Sequence, residues 1–281
     1  MLKLIRLYFK ILSLISPTLA ANSAFKVFQK IKIKNIRDRE KPFYEQAKHF
    51  VVQREEENID AYELGNPNGR LVFLVHGWES NAGCLLKFAE ELSALDYRVV
   101  AFNLPGHAFY QNSSTNLLDC KLAFELVLKQ IDPQESFDVV SHSFGSAVVA
   151  NTLGNTDYKV GQMVFLTNPN KIENIFRQFQ DIINLGENAL QKLLLKVNEL
   201  LGDELATMDV ENQLNKMNFN NFLMVHDEND KVLPFSNSVE INESVKGSKL
   251  HSLTDVGHYR MLWNEVVIKK VIGFVKEPIS Q

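Results

Sequence analysis

The stretch Phe137-Asp138-Val139-Val140-Ser141-His142-Ser143-Phe144-Gly145-Ser146-Ala147-Val148-Val149-Ala150 decides the reading of this chain. Its first part reads as a buried strand and its last part as a helix. Ser143 stands at the apex of the sharp turn between them. Such a turn lifts a hydroxyl clear of its own backbone. The helix N-terminus behind it offers free N–H groups to a developing oxyanion. The pattern is S-x-S-x-G, with Ser141 at the first position of the better-known G-x-S-x-G. A serine is small enough for most turns of this kind.

Other strand ends point the same way. Leu71-Val72-Phe73-Leu74-Val75 is a second continuous apolar run, and it ends in His76-Gly77-Trp78. A His-Gly pair at that place sets backbone N–H groups beside the turn, so those of Trp78 and Phe144 form the natural oxyanion pair. Phe222-Leu223-Met224-Val225 leads into His226-Asp227-Glu228-Asn229-Asp230, closed by Val232-Leu233-Pro234. Ser252-Leu253-Thr254-Asp255-Val256-Gly257-His258 is a strand end, a glycine and a histidine ahead of a helix. The order along the chain is Ser143, Asp230, His258. Asp227 follows the same strand as Asp230 and is the second candidate for the acid. The spacing favours Asp230, which leaves a full turn after the strand. Asp255 lies within the strand end that leads to His258.

Over about residues 48–277 the chain resembles the α/β-hydrolases of the serine esterase/lipase type, whose nucleophile, acid and base follow in this order. The resemblance implies Ser143 as nucleophile, His258 as general base and Asp230 as its orienting acid. It also matches Asn103-Leu104-Pro105-Gly106-His107-Ala108 to a loop usually written D-x-P-G-H-G-x-S, with Asn103, Ala108 and Tyr110 as departures. A serine at the turn, where haloalkane dehalogenases and epoxide hydrolases place an aspartate, leaves esters, thioesters and amides. We expect ester hydrolysis, because esters are the least demanding acyl donors. We expect an apolar acyl group, because charged residues are absent around the turn and the apolar helical faces of residues 170–215. A peptidase, an acyltransferase and a non-catalytic binding protein of the same fold stay open. A triad of this kind needs no cofactor, and the seven histidines show no metal-ligand spacing.

The 281 residues, 45% of them hydrophobic, fit a large α/β domain with a substantial core. A net charge of −4 gives no footing for nucleic acid. Cys84 and Cys120 form no disulfide framework. Strands are expected at 49–53, 59–64, 71–76, 97–102, 137–142, 162–167, 219–226 and 248–254. Helices are expected at 80–95, 114–131, 144–154, 236–245 and 259–276. This alternation predicts a mostly parallel, doubly wound sheet of about eight strands with helices on both faces, its first two strands pairing as an antiparallel edge. Residues 170–215 break the alternation with helical patterns alone. The resemblance implies that such an insertion caps the site, within a hydrolase domain of residues 48–281. His76, His142, His226 and His251 read as structural or shaping residues, and His107 receives no role.

Residues 1–47 read as a basic, helical extension. Lys3, Arg6, Lys10 and Ser13 recur on one narrow stripe of an otherwise apolar helix. Three readings stand: a secretory signal ending near Leu19-Ala20-Ala21, a helix lying on an anionic membrane surface, or a helix packed on the body. Arg6 and Lys10 interrupt the apolar run that a signal needs. The expected location is therefore cytoplasmic, with peripheral membrane contact through this helix as an option and secretion as the alternative. The run from Lys26 to Lys41 reads as a solvated charged segment.

Overall fold

Eight strands join in one sheet among the residues that the computed structural model describes, 2–55 and 57–278. They are β1 (Lys48–Val52), β2 (Ile59–Gly65), β3 (Leu71–Val75), β4 (Arg98–Phe102), β5 (Phe137–His142), β6 (Lys159–Leu166), β7 (Asn218–Asp227) and β8 (Ser248–Leu253). Their order across the sheet is β1-β2-β4-β3-β5-β6-β7-β8. β2 runs antiparallel to both β1 and β4, and every other pairing is parallel. This is the expected mostly parallel sheet with an antiparallel edge. All six residues of β5 are buried, because helices cover both faces of the sheet there.

The helices are α1 (Leu2–Ile15), α2 (Pro17–Phe28), α3 (Lys41–Gln46), α4 (Leu86–Ala94), α5 (Leu117–Ile131), α6 (Phe144–Leu153), α7 (Ile172–Ile183), α8 (Glu187–Leu201), α9 (Val210–Leu214), α10 (Ser236–Ser244) and α11 (Glu265–Val275). One face of the sheet buries Phe73, Val139 and Phe165 under α5 and α6. The other buries Leu74, Val140 and Val164 under α4 and α11. Side chains alternate between these two cores along each strand, as the pleat requires.

A third core lies away from the sheet. Phe9 of α1, Ala20, Ala21 and Ala24 of α2, Phe176 of α7, and Leu190 and Leu193 of α8 are all buried in it. The small residues of α2 let its backbone approach α8 closely. The N-terminal helices and the insertion between β6 and β7 thus share one apolar interior.

The structure packs α1 on α2 and α7, one of the readings open for it, and two expectations for residues 16–47 need correction. Part of the polar stripe of α1 is covered. Arg6 donates to the carbonyls of Asp181 and Ile182 at 2.7 and 2.9 Å, where a cation meets the negative end of α7. Ser13 Oγ accepts from the Gly186 N–H at 2.9 Å. Residues 16–47 are not helical throughout, since 31–37 run without helix or strand and follow a single bridge between Lys30 and Ser114. Finally, the charged run is not wholly solvated: Glu40 is buried, accepting from the Arg37 N–H and from Asn81 Nδ2.

Candidate active site

The chain crosses from β5 into α6 through Ser143, at φ 53° and ψ −123°. A residue with a Cβ enters that region only under strain, so the surroundings must hold it there. The Ser143 N–H donates to the Leu166 carbonyl, and the Ser143 carbonyl accepts from the Ser146 N–H, both at 2.9 Å. A Cβ on Gly145 would lie 2.5 Å from the carbonyl oxygens of Val75 and His76, so α6 starts hard against the end of β3. Ser141 finds a partner in the same turn, its Oγ lying 2.9 Å from Ser146 Oγ. That buried pair explains how a serine occupies the position usually held by glycine.

The end of β3 meets this turn directly. A Cβ on Gly77 would come within 3.0 Å of Ser143 Cβ and 3.1 Å of His142 Nδ1. The Trp78 and Phe144 rings stand edge to face at 5.1 Å. Among the described residues no backbone carbonyl accepts from the N–H of either. His76 fixes this corner. Its Nε2 accepts from the Leu104 N–H at 2.9 Å, and its Nδ1–H donates to the Gly77 carbonyl at 2.8 Å. Burial drives its pKa well down, which keeps the ring neutral. The structure therefore gives His76 a place: it ties the 103–110 loop to the strand end.

That loop absorbs its departures from the usual pattern. Asn103 Oδ1 accepts from the Ala82 N–H at 2.9 Å and from the Tyr44 hydroxyl at 3.3 Å. Ala108 sits at φ 46°, a left-handed conformation natural to the glycine it replaces. Tyr110 is buried, and burial pushes its hydroxyl pKa up. The His107 Nδ1–H donates to the Pro105 carbonyl at 2.9 Å, and its ring stands edge-on to His76 and Trp78.

His258 Nε2 lies 3.0 Å from Ser143 Oγ, and its Nδ1 lies 2.8 Å from Asp230 Oδ2. The carboxylate fixes the tautomer: Nδ1 carries the hydrogen and Nε2 faces the hydroxyl. Ser143 and His258 are both buried, and the Asp230 side chain is wholly so. Burial resists ionisation of Asp230. Hydrogen bonds from His258 and the Thr167 hydroxyl, with the Val232 N–H on Oδ1, outweigh it and hold the carboxyl well below its ordinary value.

Asp227 has other partners. Its Oδ2 accepts from the Val256 and Gly257 N–H groups at 2.5 Å each, and its Oδ1 accepts from the Asn229 N–H at 2.7 Å. It clasps the loop that carries His258 rather than the imidazole. The Asp255 carbonyl, at φ 60°, takes a bond from Arg260. His142 holds the far side of the same loop: its Nε2–H donates to the His258 carbonyl at 3.0 Å. Burial, reinforced by the neighbouring His258, pushes the His142 pKa down to about 3.

Sequence reading missed Thr167. It follows β6 at φ 48°, unusual for a β-branched residue, and donates to Asp230 Oδ2 at 2.5 Å. Its Oγ1 also lies 3.0 Å from Nε2 of His226, whose Nδ1 is 2.7 Å from Ser238 Oγ. The available signal was position: a polar residue directly after an apolar strand that lies between β5 and β7 must face the same corner.

Above Ser143 opens a cavity of about 910 Å³. The body supplies Trp78 and Phe144, α7 supplies Ile172, Phe176 and Phe179, and α8 supplies Leu200 and Leu201. The N-terminal helices complete the wall with Leu2 and Ile5 of α1 and Phe25 and Phe28 of α2. The Phe28 ring stacks on Phe176 at 4.4 Å. The lining is not free of charge, for Lys30, Lys32, Glu79 and Asp119 also border it. Among the described residues no group of three or more His, Cys, Asp or Glu is placed to hold a metal ion. A hydroxyl facing an imidazole that faces a carboxylate is suited to activating an oxygen nucleophile.

The comparisons with known proteins agree with this architecture. A model of the α/β hydrolase fold family matches residues 70–199. Those residues are similar to that family, and the eight-stranded, mostly parallel sheet between two helical layers has the α/β-hydrolase fold. A putative lipase from Acinetobacter baumannii AYE superposes with a TM-score of 0.64 at 14% identity, covering 86% of this chain and 97% of that one. A membrane phospholipase A, described as a bacterial virulence factor, gives 0.61 at 17% identity, with 92% and 91% covered. Est1E from Butyrivibrio proteoclasticus gives 0.61 at 17%, with 81% and 97% covered. At these identities the likeness is one of fold. No curated protein sequence matches the chain.

Proposed function

We propose that the protein is a serine hydrolase that cleaves carboxylic esters with an apolar acyl group. The observation that carries this reading is the hydrogen-bonded chain Ser143–His258–Asp230 at the floor of an apolar cavity. Ser143 Oγ attacks the acyl carbonyl while its proton passes to His258 Nε2. Asp230 stabilises the imidazolium and holds its orientation. The Trp78 and Phe144 N–H groups donate to the oxyanion, aided by the positive end of α6. His258 then gives its proton to the departing alcohol. In the second half, water loses a proton to His258 and attacks the acyl-enzyme, which releases the acid and restores the serine. No step requires a cofactor. The cavity has the size of a pocket for an extended small molecule, and its largely apolar lining favours an aliphatic or aromatic acyl chain over a charged one.

The test is labelling with a fluorophosphonate probe, followed by peptide mapping, on wild type and Ser143→Ala. We expect an adduct on Ser143 that the variant lacks. A p-nitrophenyl ester series should then show kcat/KM rising with acyl length. A folded wild-type protein that takes no label and turns over no ester would defeat the proposal.

A further inference from the structure

The outer face of α1 carries Leu4, Leu7, Tyr8, Ile11, Leu14 and Ile15, all exposed, with Leu4, Ile15 and Leu14 at 71%, 75% and 81%. Their spacing of three and four makes one continuous apolar stripe along a 14-residue helix. The helix is not free to turn this stripe inward. Phe9 is buried on its opposite face, and Arg6 and Ser13 are tied to the α7 end and to Gly186. An apolar stripe held outward in this way marks a surface that something apolar covers.

Charge says what covers it. Residues 1–37 contain eight Lys or Arg and no Asp or Glu, in a chain whose net charge is −4. Lys3 and Lys10 are exposed along one edge of the stripe. An apolar stripe edged by cations fits the boundary between the headgroups and acyl chains of an anionic bilayer. Among the described residues no helix is long and apolar enough to cross a membrane, which agrees with a helix lying in the plane of the surface. Exposed apolar side chains also stand at the mouth of the cavity, beside the N-terminal end of α1. Leu2, Ile182 and Leu200 are each more than half exposed, and each lines the cavity that leads to Ser143.

We propose that the outer face of α1 docks the protein on an anionic membrane surface, and that an apolar acyl substrate enters the cavity from that surface past Leu2 and Leu200. The entry half of this inference rests on Ser143 being the nucleophile, and the docking half does not.

The experiment is co-sedimentation with vesicles of phosphatidylcholine, alone or mixed equally with phosphatidylglycerol, using the Ser143→Ala protein so that docking is read apart from turnover. We expect binding to the anionic vesicles at least tenfold tighter than to the neutral ones, and weaker in high salt or in Lys3→Gln/Lys10→Gln. The triple variant Leu4→Ser/Ile11→Ser/Leu14→Ser replaces no residue that lines the cavity. It should lose at least tenfold in vesicle binding and in activity on vesicle-borne ester, while wild-type Ser143 protein carrying it keeps its kcat on a water-soluble short ester. Failure of the folded protein to bind anionic vesicles, or full binding by the triple variant, would overturn the docking. So would a dimer in sedimentation velocity that the triple variant dissociates, since the stripe would then belong to a second copy. Intact docking by a protein inert toward every ester would sink the hydrolase reading and leave the docking standing.

Discussion

Replacing Asp230 and Asp227 one at a time by asparagine separates two carboxylates that lie three residues apart. Asp230 Oδ1 accepts two backbone N–H groups, from Val232 at 2.7 Å and Leu233 at 3.0 Å, while Oδ2 accepts from His258 and Thr167. In Asp230→Asn the single oxygen is held by the two backbone donors, so the new NH2 group faces His258 Nδ1. The imidazole must then carry its hydrogen on Nε2, the nitrogen that has to take the Ser143 proton. The Thr167 hydroxyl can turn to accept, so the fold loses little. We expect kcat to fall about 10⁴-fold, the loss seen when a triad acid becomes an amide, with a small change in Tm. Asp227→Asn acts differently. One oxygen cannot serve the Val256, Gly257 and Asn229 N–H groups together, so a donor is left facing a donor. That loses about 1.5–3 kcal/mol, a fall in Tm on the order of 5 °C, with kcat reduced only as far as the His258 loop loosens. The assays are p-nitrophenyl butyrate turnover and thermal unfolding. If Asp227→Asn lost more than a thousandfold in kcat at an unchanged Tm while Asp230→Asn stayed within tenfold of wild type, the assignment would be reversed.

Acid should weaken the fold through its buried histidines before Asp227 and Asp230 titrate. Asp138, whose carboxyl burial raises to about 6, offsets part of that loss as it takes up its proton between about pH 6 and 4. Burial pushes the pKa of His107 down to about 4 and that of His142 to about 3, so between these values and about 6.5 the unfolded chain binds more protons than the folded one. Stability then falls as pH drops below about 6.5, by up to about 1.4 kcal/mol per pH unit for each such histidine, and a urea midpoint unchanged from pH 7 to pH 5 would contradict it. The depressed carboxyls of Asp227 and Asp230 add their loss only below about pH 4, as pH falls toward their folded values. Gly77→Ala places a methyl 3.0 Å from Ser143 Cβ and should cut kcat on the order of a hundredfold by displacing the hydroxyl, while circular dichroism stays native. Phe28→Ala removes the ring stacked on Phe176 and should lower kcat/KM about tenfold for long acyl esters, a loss of about 1.4 kcal/mol, leaving acetate esters near wild type. Equal losses on both esters would place Phe28 outside the acyl path.

The sheet was legible because buried parallel strands are continuous apolar runs: the strands expected at 71–76 and 137–142 are β3 at 71–75 and β5 at 137–142. The meeting of Ser143, Asp230 and His258 was legible for a related reason, since each follows a strand end on the same side of a parallel sheet. Thr167 escaped because nothing local marks it: its part comes from the neighbours of β6, and its positive φ is imposed by them. Glu40 and the unwound 31–37 segment escaped because charge patterning reads exposure, and tertiary contacts override it. The outward apolar stripe of α1 escaped for the opposite reason. Helical periodicity tells that a helix has faces, and α1 is apolar on two of them, so only the positions of Arg6 and Ser13 decide which one is covered.

The third core has a consequence for the newborn chain. Arg6 and the carbonyl it binds on Asp181 are 175 residues apart. At the usual pace of synthesis, roughly 5–20 residues per second, α1 and α2 emerge on the order of ten to thirty seconds before α7 and α8 exist to receive them. Through that interval both apolar faces of α1 are bare, and its neighbouring charges are all positive. Whatever first meets this segment, a chaperone or a membrane surface, does so while the α/β body is still being made. The order of translation thus gives the N-terminal helix an encounter with its surroundings that precedes its own tertiary structure.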